Sequence, residues 1–169
     1  MLFEFLKLSK LFWLIPLELP NGSIIGFIIR GYQEKLYRTA VFSDYSVLYG
    51  LLNFKDFNRG DPIILVEGTR DCMFIHNYLY PYCLSINMAK LTQDMYHILR
   101  KFTDRFVLLY DMDQTGRKQT RVDAQFLQGM GARSIIPMYS ASDPGSYFYT
   151  TDALREKFID NLSGWLEKI

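Results

Sequence analysis

Five carboxylates stand where strands and helices in alternation would bring them together. They are Glu67 and Asp71 in Val-Glu-Gly-Thr-Arg-Asp, Asp111 and Asp113 in Tyr-Asp-Met-Asp, and Asp143 in Ser-Asp-Pro-Gly. A single acid after a strand usually caps the next helix or solvates a loop. Carboxylates converging from several segments repel one another unless a cation lies between them. Oxygen donors with no histidine or cysteine beside them favour Mg²⁺ or Mn²⁺ over zinc or copper. Residues two apart in an extended segment point the same way, so Asp111 and Asp113 can face one ion. Gly116 is expected to relax the turn that follows, and Arg117 and Lys118 then place positive charge beside the acids. A hard cation, carboxylates and neighbouring basic groups suit phosphoryl or nucleotidyl transfer.

Such a site needs strands that end together. Ile63 to Val66 is a short, wholly apolar run, the pattern of a strand buried on both faces of a parallel sheet. Phe106 to Tyr110 and Ser134 to Met138 repeat it, and Cys83 to Ile86 is a further candidate. Helices are expected over Arg70 to Tyr80, Thr92 to Phe102 with Thr92 as N-cap, Arg117 to Met130 closed by Gly129 or Gly131, and Asp152 to Trp165. A turn over Asp113 to Gly116 and a polar loop over Ser140 to Ser146 separate them. This alternation predicts an α/β fold with a parallel sheet, whose active site lies at the carboxyl ends of the strands. Glu67 follows the first strand, Asp111 and Asp113 the second, and Asp143 comes a few residues after the third.

Upstream, Pro16, Pro20, Asn21 and Gly22 are read as a turn, and Ser23 to Ile29 as a strand. Tyr37 to Phe42 is a second strand or an irregular segment, and Tyr49 to Phe54 a short apolar one. Asn58-Arg59-Gly60-Asp61-Pro62 is the clearest punctuation in the chain. We therefore expect an N-terminal subdomain over residues 1–59, a catalytic domain over 60–149 and a C-terminal helix within 150–169.

Composition sets outer bounds. Apolar residues are 49% and charged residues 22% of the 169, the balance of a folded domain. A net charge of +1 means that any nucleic-acid partner must bind at a local basic patch. Two cysteines, Cys72 and Cys83, are too few for a Cys₄ zinc site, and His76 and His97 lie in helical stretches without the spacing of a Cys₂His₂ site. The cysteines therefore read as buried thiols in a reducing compartment. Met1 to Ile15 is apolar but interrupted by Glu4, Lys7 and Lys10, and no small-residue cleavage site follows it. No apolar run reaches the ~18–20 residues of a membrane span, so a cytoplasmic protein without membrane contact is expected. Phe3, Phe5, Phe12 and Trp13 are expected to pack on the chain's own sheet. Tyr78, Tyr80, Tyr82 and residues 147–149 are expected to pack more than to stack on bases.

Leu65-Val66-Glu67-Gly68-Thr69-Arg70-Asp71, followed by Leu109-Tyr110-Asp111-Met112-Asp113-Gln114-Thr115-Gly116-Arg117-Lys118, resembles the two signatures of Toprim domains. These occur in primases, topoisomerases, some nucleases and repair proteins. The Glu-Gly-x-x-Asp and Asp-x-Asp-x-x-Gly-Arg-Lys forms are similar to those of primases. So is the upstream pairing of Ile25-Gly26-Phe27-Ile28-Ile29-Arg30 with Leu48-Tyr49-Gly50-Leu51. The resemblance runs from about Gly22 to about Phe148. It implies a Toprim fold, a parallel sheet flanked by helices, behind a small α+β N-terminal subdomain. It also implies a DNA primase core, a Mg²⁺- or Mn²⁺-dependent nucleotidyltransferase making RNA primers on single-stranded DNA from nucleoside triphosphates.

Carried over by position, Glu67 is the catalytic carboxylate or a metal ligand, Asp111 and Asp113 hold the metal, Asp71 supports the site and Asp143 completes the acidic cluster. Arg30 and Lys35 lie on a basic face for template or nucleotide, and Arg117, Lys118 and Lys90 are candidates for phosphate contact. Two departures stand out: Asp143-Pro144-Gly145 replaces Asp-Pro-Asp, and Asn87 ends a strand that usually closes on glycine. Asn tolerates the left-handed backbone such a turn needs. No zinc-binding segment or helicase P-loop is present in the sequence. The expectation is therefore an excised core or a subunit of a split or minimal primase, of bacteriophage type, with a replicative helicase or a zinc-binding primase domain acting in trans. The competing readings are a Toprim-type nuclease, and a degenerate Toprim scaffold in a replication complex.

Overall fold

The computed structural model describes residues 12–31, 37–42, 48–87 and 90–169. Its centre is a four-stranded parallel sheet of β4 (Ile63–Val66), β5 (Cys83–Ser85), β6 (Arg105–Leu108) and β7 (Arg133–Ile135), in the order β5-β4-β6-β7. Ile63 lies opposite Phe106 and Ile64 opposite Cys83, so β4 is paired along both edges. All four of its side chains are fully buried, as its uninterrupted apolar run requires.

The alternation of side chains along each strand divides the core into two layers. Ile63, Leu65, Phe106 and Leu108 face the helices α2 (Gln93–Leu99) and α3 (Gln114–Gly129) through Met95, Tyr96, Leu99 and Leu127. Ile64, Val66 and Val107 face α1 (Thr69–Tyr78) and α4 (Asp152–Glu167) through Cys72, Ile75, Phe158 and Leu162. The expected α/β architecture is therefore present. Among the described residues no helix is long and apolar enough to cross a membrane.

Before it lies an antiparallel sheet, β1-β2-β3, of β1 (Phe12–Glu18), β2 (Ile24–Gly31) and β3 (Tyr37–Val41). Pro16 belongs to β1, opposite Phe27, and not to the expected turn. An edge strand tolerates proline because one side of its ladder is unpaired. The reversal falls instead at 19–23, where the Gly22 amide donates to Leu19 O (2.9 Å) and Gly22 adopts φ 81°. The short apolar segment becomes a 3₁₀ turn over Leu51–Asp56. Just before it, Tyr49 pairs with Ser85 through two backbone hydrogen bonds of 3.0 Å, which joins this region to the outer edge of β5.

Two further expectations are corrected. Residues 113–116 do not form a loose turn, because the Asp113 carboxylate accepts the Gly116 amide at 2.7 Å and caps a helix that begins at Gln114. β7 stops at Ile135 and not at Met138, since it is the edge strand and both Ile136 and Met138 point into solvent. Thr92 caps α2 as expected, accepting from the Met95 amide.

Candidate active site

A cavity of about 470 Å³ opens at the carboxyl ends of the parallel strands. The central sheet and its following turns contribute Glu67, Asp71, Asp111 and Asp143, with Gly68, Thr69, Arg70 and Asn87 between them. The N-terminal sheet contributes Arg30 from β2 and Tyr37 from β3.

Glu67 follows β4 directly. Its Oε1 is buried and accepts no hydrogen bond. Burial raises its pKa, and the nearby charges of Asp113, Asp71 and Asp123 raise it further against one backbone hydrogen bond from Asp111. Gly116, in the first turn of α3, makes this proximity possible. A Cβ there would collide with the Asp111 carbonyl and stand 2.7 Å from Glu67 Oε1.

Asp71 lies one turn into α1 and is 8% exposed. Its Oδ1 accepts the Gly145 amide at 2.8 Å. Burial, then the like charges of Asp143 and Asp111, push its pKa up to about 7 despite that bond. A Cβ on Gly68 or on Gly145 would come within 2.6 Å of an Asp71 oxygen, so two glycines enclose this carboxylate. Glycine in the Asp-Pro-Gly departure leaves no Cβ to hold that backbone donor away from Asp71. Asp111 is pushed up to about 6 by burial, then by Glu67, Asp143 and Asp113. Partial burial opposes the charge on Asp143. Hydrogen bonds from the Ser146 hydroxyl (2.7 Å), the Ser142 hydroxyl (2.9 Å) and the Ser146 amide (2.7 Å) nevertheless hold its pKa below the ordinary value.

The other candidates lie elsewhere. Asp113 is exposed and caps α3, so of the Asp-x-Asp pair only Asp111 lines the cavity. Arg117 and Lys118 line a neighbouring groove of about 640 Å³ with Met112, Gln114 and Arg121, and Arg117 Nε donates to Met112 O (2.7 Å). Lys90 is exposed beside Asp123, away from the cavity. Lys35 lies outside the described residues.

The structure adds residues that were not singled out by sequence. Tyr37, Thr69 and Arg70 line the cavity. Asp123, 1% exposed, accepts from Tyr110 Oη (2.9 Å), the Leu91 amide (3.1 Å) and Gln119 Nε2 (2.7 Å), tying α3 to the end of β6. Its signal was available: Gly116, Thr120, Asp123 and Leu127 form the buried stripe of α3 at helical spacing.

Three carboxyls with raised pKa values share a cavity whose donors are all oxygen, and one buried oxygen lacks any partner. This set fits a hard divalent cation. Among the described residues no three acidic, histidine or cysteine side chains already converge as a closed cage. Mg²⁺ does not require one, since it commonly takes one or two carboxylates and keeps several waters.

A family model described as Toprim-like matches residues 64–148. The DNA primase of Clostridium acetobutylicum is 31% identical over 134 residues, covering 75% of this chain and 22% of that protein. The crystal structure of the Aquifex aeolicus primase, comprising zinc-binding and RNA polymerase domains, superposes with a TM-score of 0.75 at 25% identity. That match covers 92% of this chain and 39% of the other. A DnaG primase catalytic domain bound to single-stranded DNA superposes with a TM-score of 0.72 at 20% identity, over 93% of this chain and 51% of the other, a likeness of fold. The chain spans 22% to 32% of the length of the curated relatives it matches.

Proposed function

Because the chain belongs to the Toprim-like family and has its fold, we propose that it is the catalytic core of a DNA primase. In this reading it is a nucleotidyltransferase that copies single-stranded DNA into short RNA primers from nucleoside triphosphates, and it serves DNA replication. The observation that carries the reading is the two-sided cavity, with Glu67, Asp71, Asp111 and Asp143 on one side and Arg30 and Tyr37 on the other. A nuclease needs the acids alone, whereas a polymerase must also hold a triphosphate.

The cation would be Mg²⁺ or Mn²⁺, held by Glu67 and Asp111 with Asp143 and Asp113 nearby. Bound there, it would favour the ionised 3′-hydroxyl and offset charge on the departing pyrophosphate. Glu67 takes the proton of the primer 3′-hydroxyl. Asp71, gripped by the Gly145 amide, holds the segment after Asp143 against α1. Arg30 pairs with the triphosphate. Lys90, Arg117 and Lys118 hold template or product phosphates outside the cavity, and Lys35 would join Arg30 in contacting template or nucleotide. In this reading residues 1–59 would present the basic face, 60–149 would carry the chemistry and 150–169 would supply a packing helix. A replicative helicase, a zinc-binding primase domain, or both would act in trans.

The test incubates the purified chain with single-stranded DNA, labelled ribonucleotides and Mg²⁺ or Mn²⁺, beside an Asp111→Ala/Asp113→Ala control. Short labelled products from the native chain alone support the proposal. Metal-dependent loss of the template without synthesis would move the assignment to nuclease.

A further inference from the structure

Asn87, two residues past the end of β5, adopts the left-handed region at φ 48°, where most side chains are strained. Three hydroxyls converge on its Oδ1: Thr69 Oγ1 at 2.7 Å, Tyr37 Oη at 2.8 Å and Ser85 Oγ at 2.9 Å. Its Nδ2 is buried and makes no hydrogen bond. An amide kept in a strained backbone with one end unsatisfied indicates that the bonds at its other end matter.

Those bonds run to three different parts of the cavity wall. Ser85 Oγ also lies 2.9 Å from Glu67 O, at the end of β4. Thr69 opens α1, two residues from Asp71. Tyr37 belongs to β3 of the N-terminal sheet, fifty positions away in sequence. Tyr37 is also the direct cross-strand partner of Arg30 in the β2–β3 ladder. Directly opposed residues on antiparallel strands project from the same face, so anchoring one restrains the other.

We propose that Asn87 is a positioning residue: through Tyr37 it fixes Arg30 at the working distance from the carboxylates and so sets the affinity for the nucleoside triphosphate. This rests on the primase reading for the identity of the ligand. Glycine adopts a positive φ without strain, so Asn87→Gly removes the amide and keeps the turn. Tyr37→Phe removes the same bond from the other side.

The experiment measures MgATP binding by calorimetry, and KM and kcat for ribonucleotides in primer synthesis, on the full chain. The variants are Asn87→Gly, Tyr37→Phe, Arg30→Ala and the double variants. Either single change should weaken MgATP binding and raise KM roughly three- to tenfold, the worth of about one net hydrogen bond, with kcat within about twofold. The Asn87→Gly/Tyr37→Phe pair should be no worse than either single variant, and Asn87→Gly should add nothing once Arg30 is alanine. Unchanged affinity, a full further effect in the Arg30→Ala background, or a native chain that does not bind MgATP would each overturn the inference. A native chain that binds MgATP in an Asn87-dependent way but makes no primer, even with a zinc-binding primase domain and a replicative helicase supplied, would refute the primase reading and leave the positioning role standing.

Discussion

At the residue scale the site is a set of carboxyls held nearer neutrality than water would allow. Burial, with no cationic partner raising or lowering them among the described residues, is the common cause, since Glu67, Asp71 and Asp111 are raised by desolvation and then by neighbouring carboxylates. The energetic sign follows. A carboxyl raised from 3.8 to about 7 in the folded chain, as Asp71 is, favours folding most below the unfolded value. That contribution is lost as pH rises through about 4 to 7. In chelator, the melting temperature of the native chain should therefore fall relative to Asp71→Asn as pH is raised from about 5 to about 8. The carboxamide oxygen of that variant would still accept the Gly145 amide, and excess Mg²⁺ should narrow the gap. Asp143 has the opposite sign. Its lowered pKa contributes stability above the ordinary carboxylate value and loses it in acid, outside that window. Glu67→Gln keeps the shape of the buried side chain and removes its charge. It should reduce primer synthesis by at least about a hundredfold, the scale of one acid–base group, without lowering the melting temperature.

At the element scale, the first turn of α3 decides how closely the acids approach. Asp113 gives up one oxygen to the Gly116 amide to start the helix, and Gly116 leaves the space that Glu67 Oε1 occupies. Alanine is better than glycine inside a helix by about 1 kcal/mol, so propensity alone predicts that Gly116→Ala stabilises the chain. The opposite is expected, because the new methyl would meet the Asp111 carbonyl and Glu67 together. Urea denaturation should show a lower midpoint, and primer synthesis should fall with it. Gly145 acts similarly on the far side of the site. Its lack of a side chain lets the Pro144–Tyr149 turn approach Asp71 closely enough for a 2.8 Å hydrogen bond.

At the scale of the whole molecule, two sheets of different construction face each other across one cavity. The parallel sheet carries the acids, and the antiparallel sheet carries Arg30 and Tyr37. This division predicts separable binding. Arg30→Ala should weaken MgATP about tenfold or more, as loss of a charge-assisted contact does. It should leave the Mn²⁺ affinity measured without nucleotide nearly unchanged, which paramagnetic titration would check.

The sequence by itself determined the layered α/β fold and the ends at which its acids gather. Both depend on local pattern: apolar runs such as Ile63 to Val66 bury a strand on two faces, and residues just after a parallel strand lie at the active end of the sheet. The left-handed turn at Asn87 was legible for the same reason, as a property of one backbone position. Tertiary structure alone decided how the acids divide their work. Asp111 and Asp113 are equivalent in the motif, yet one lines the cavity while the other spends an oxygen on a helix cap. It alone also brought Tyr37 to Asn87 and Gly145 to Asp71, contacts between segments fifty and seventy-four residues apart. Such pairings follow from how packed layers bring distant loops together, and no periodicity in the chain encodes them.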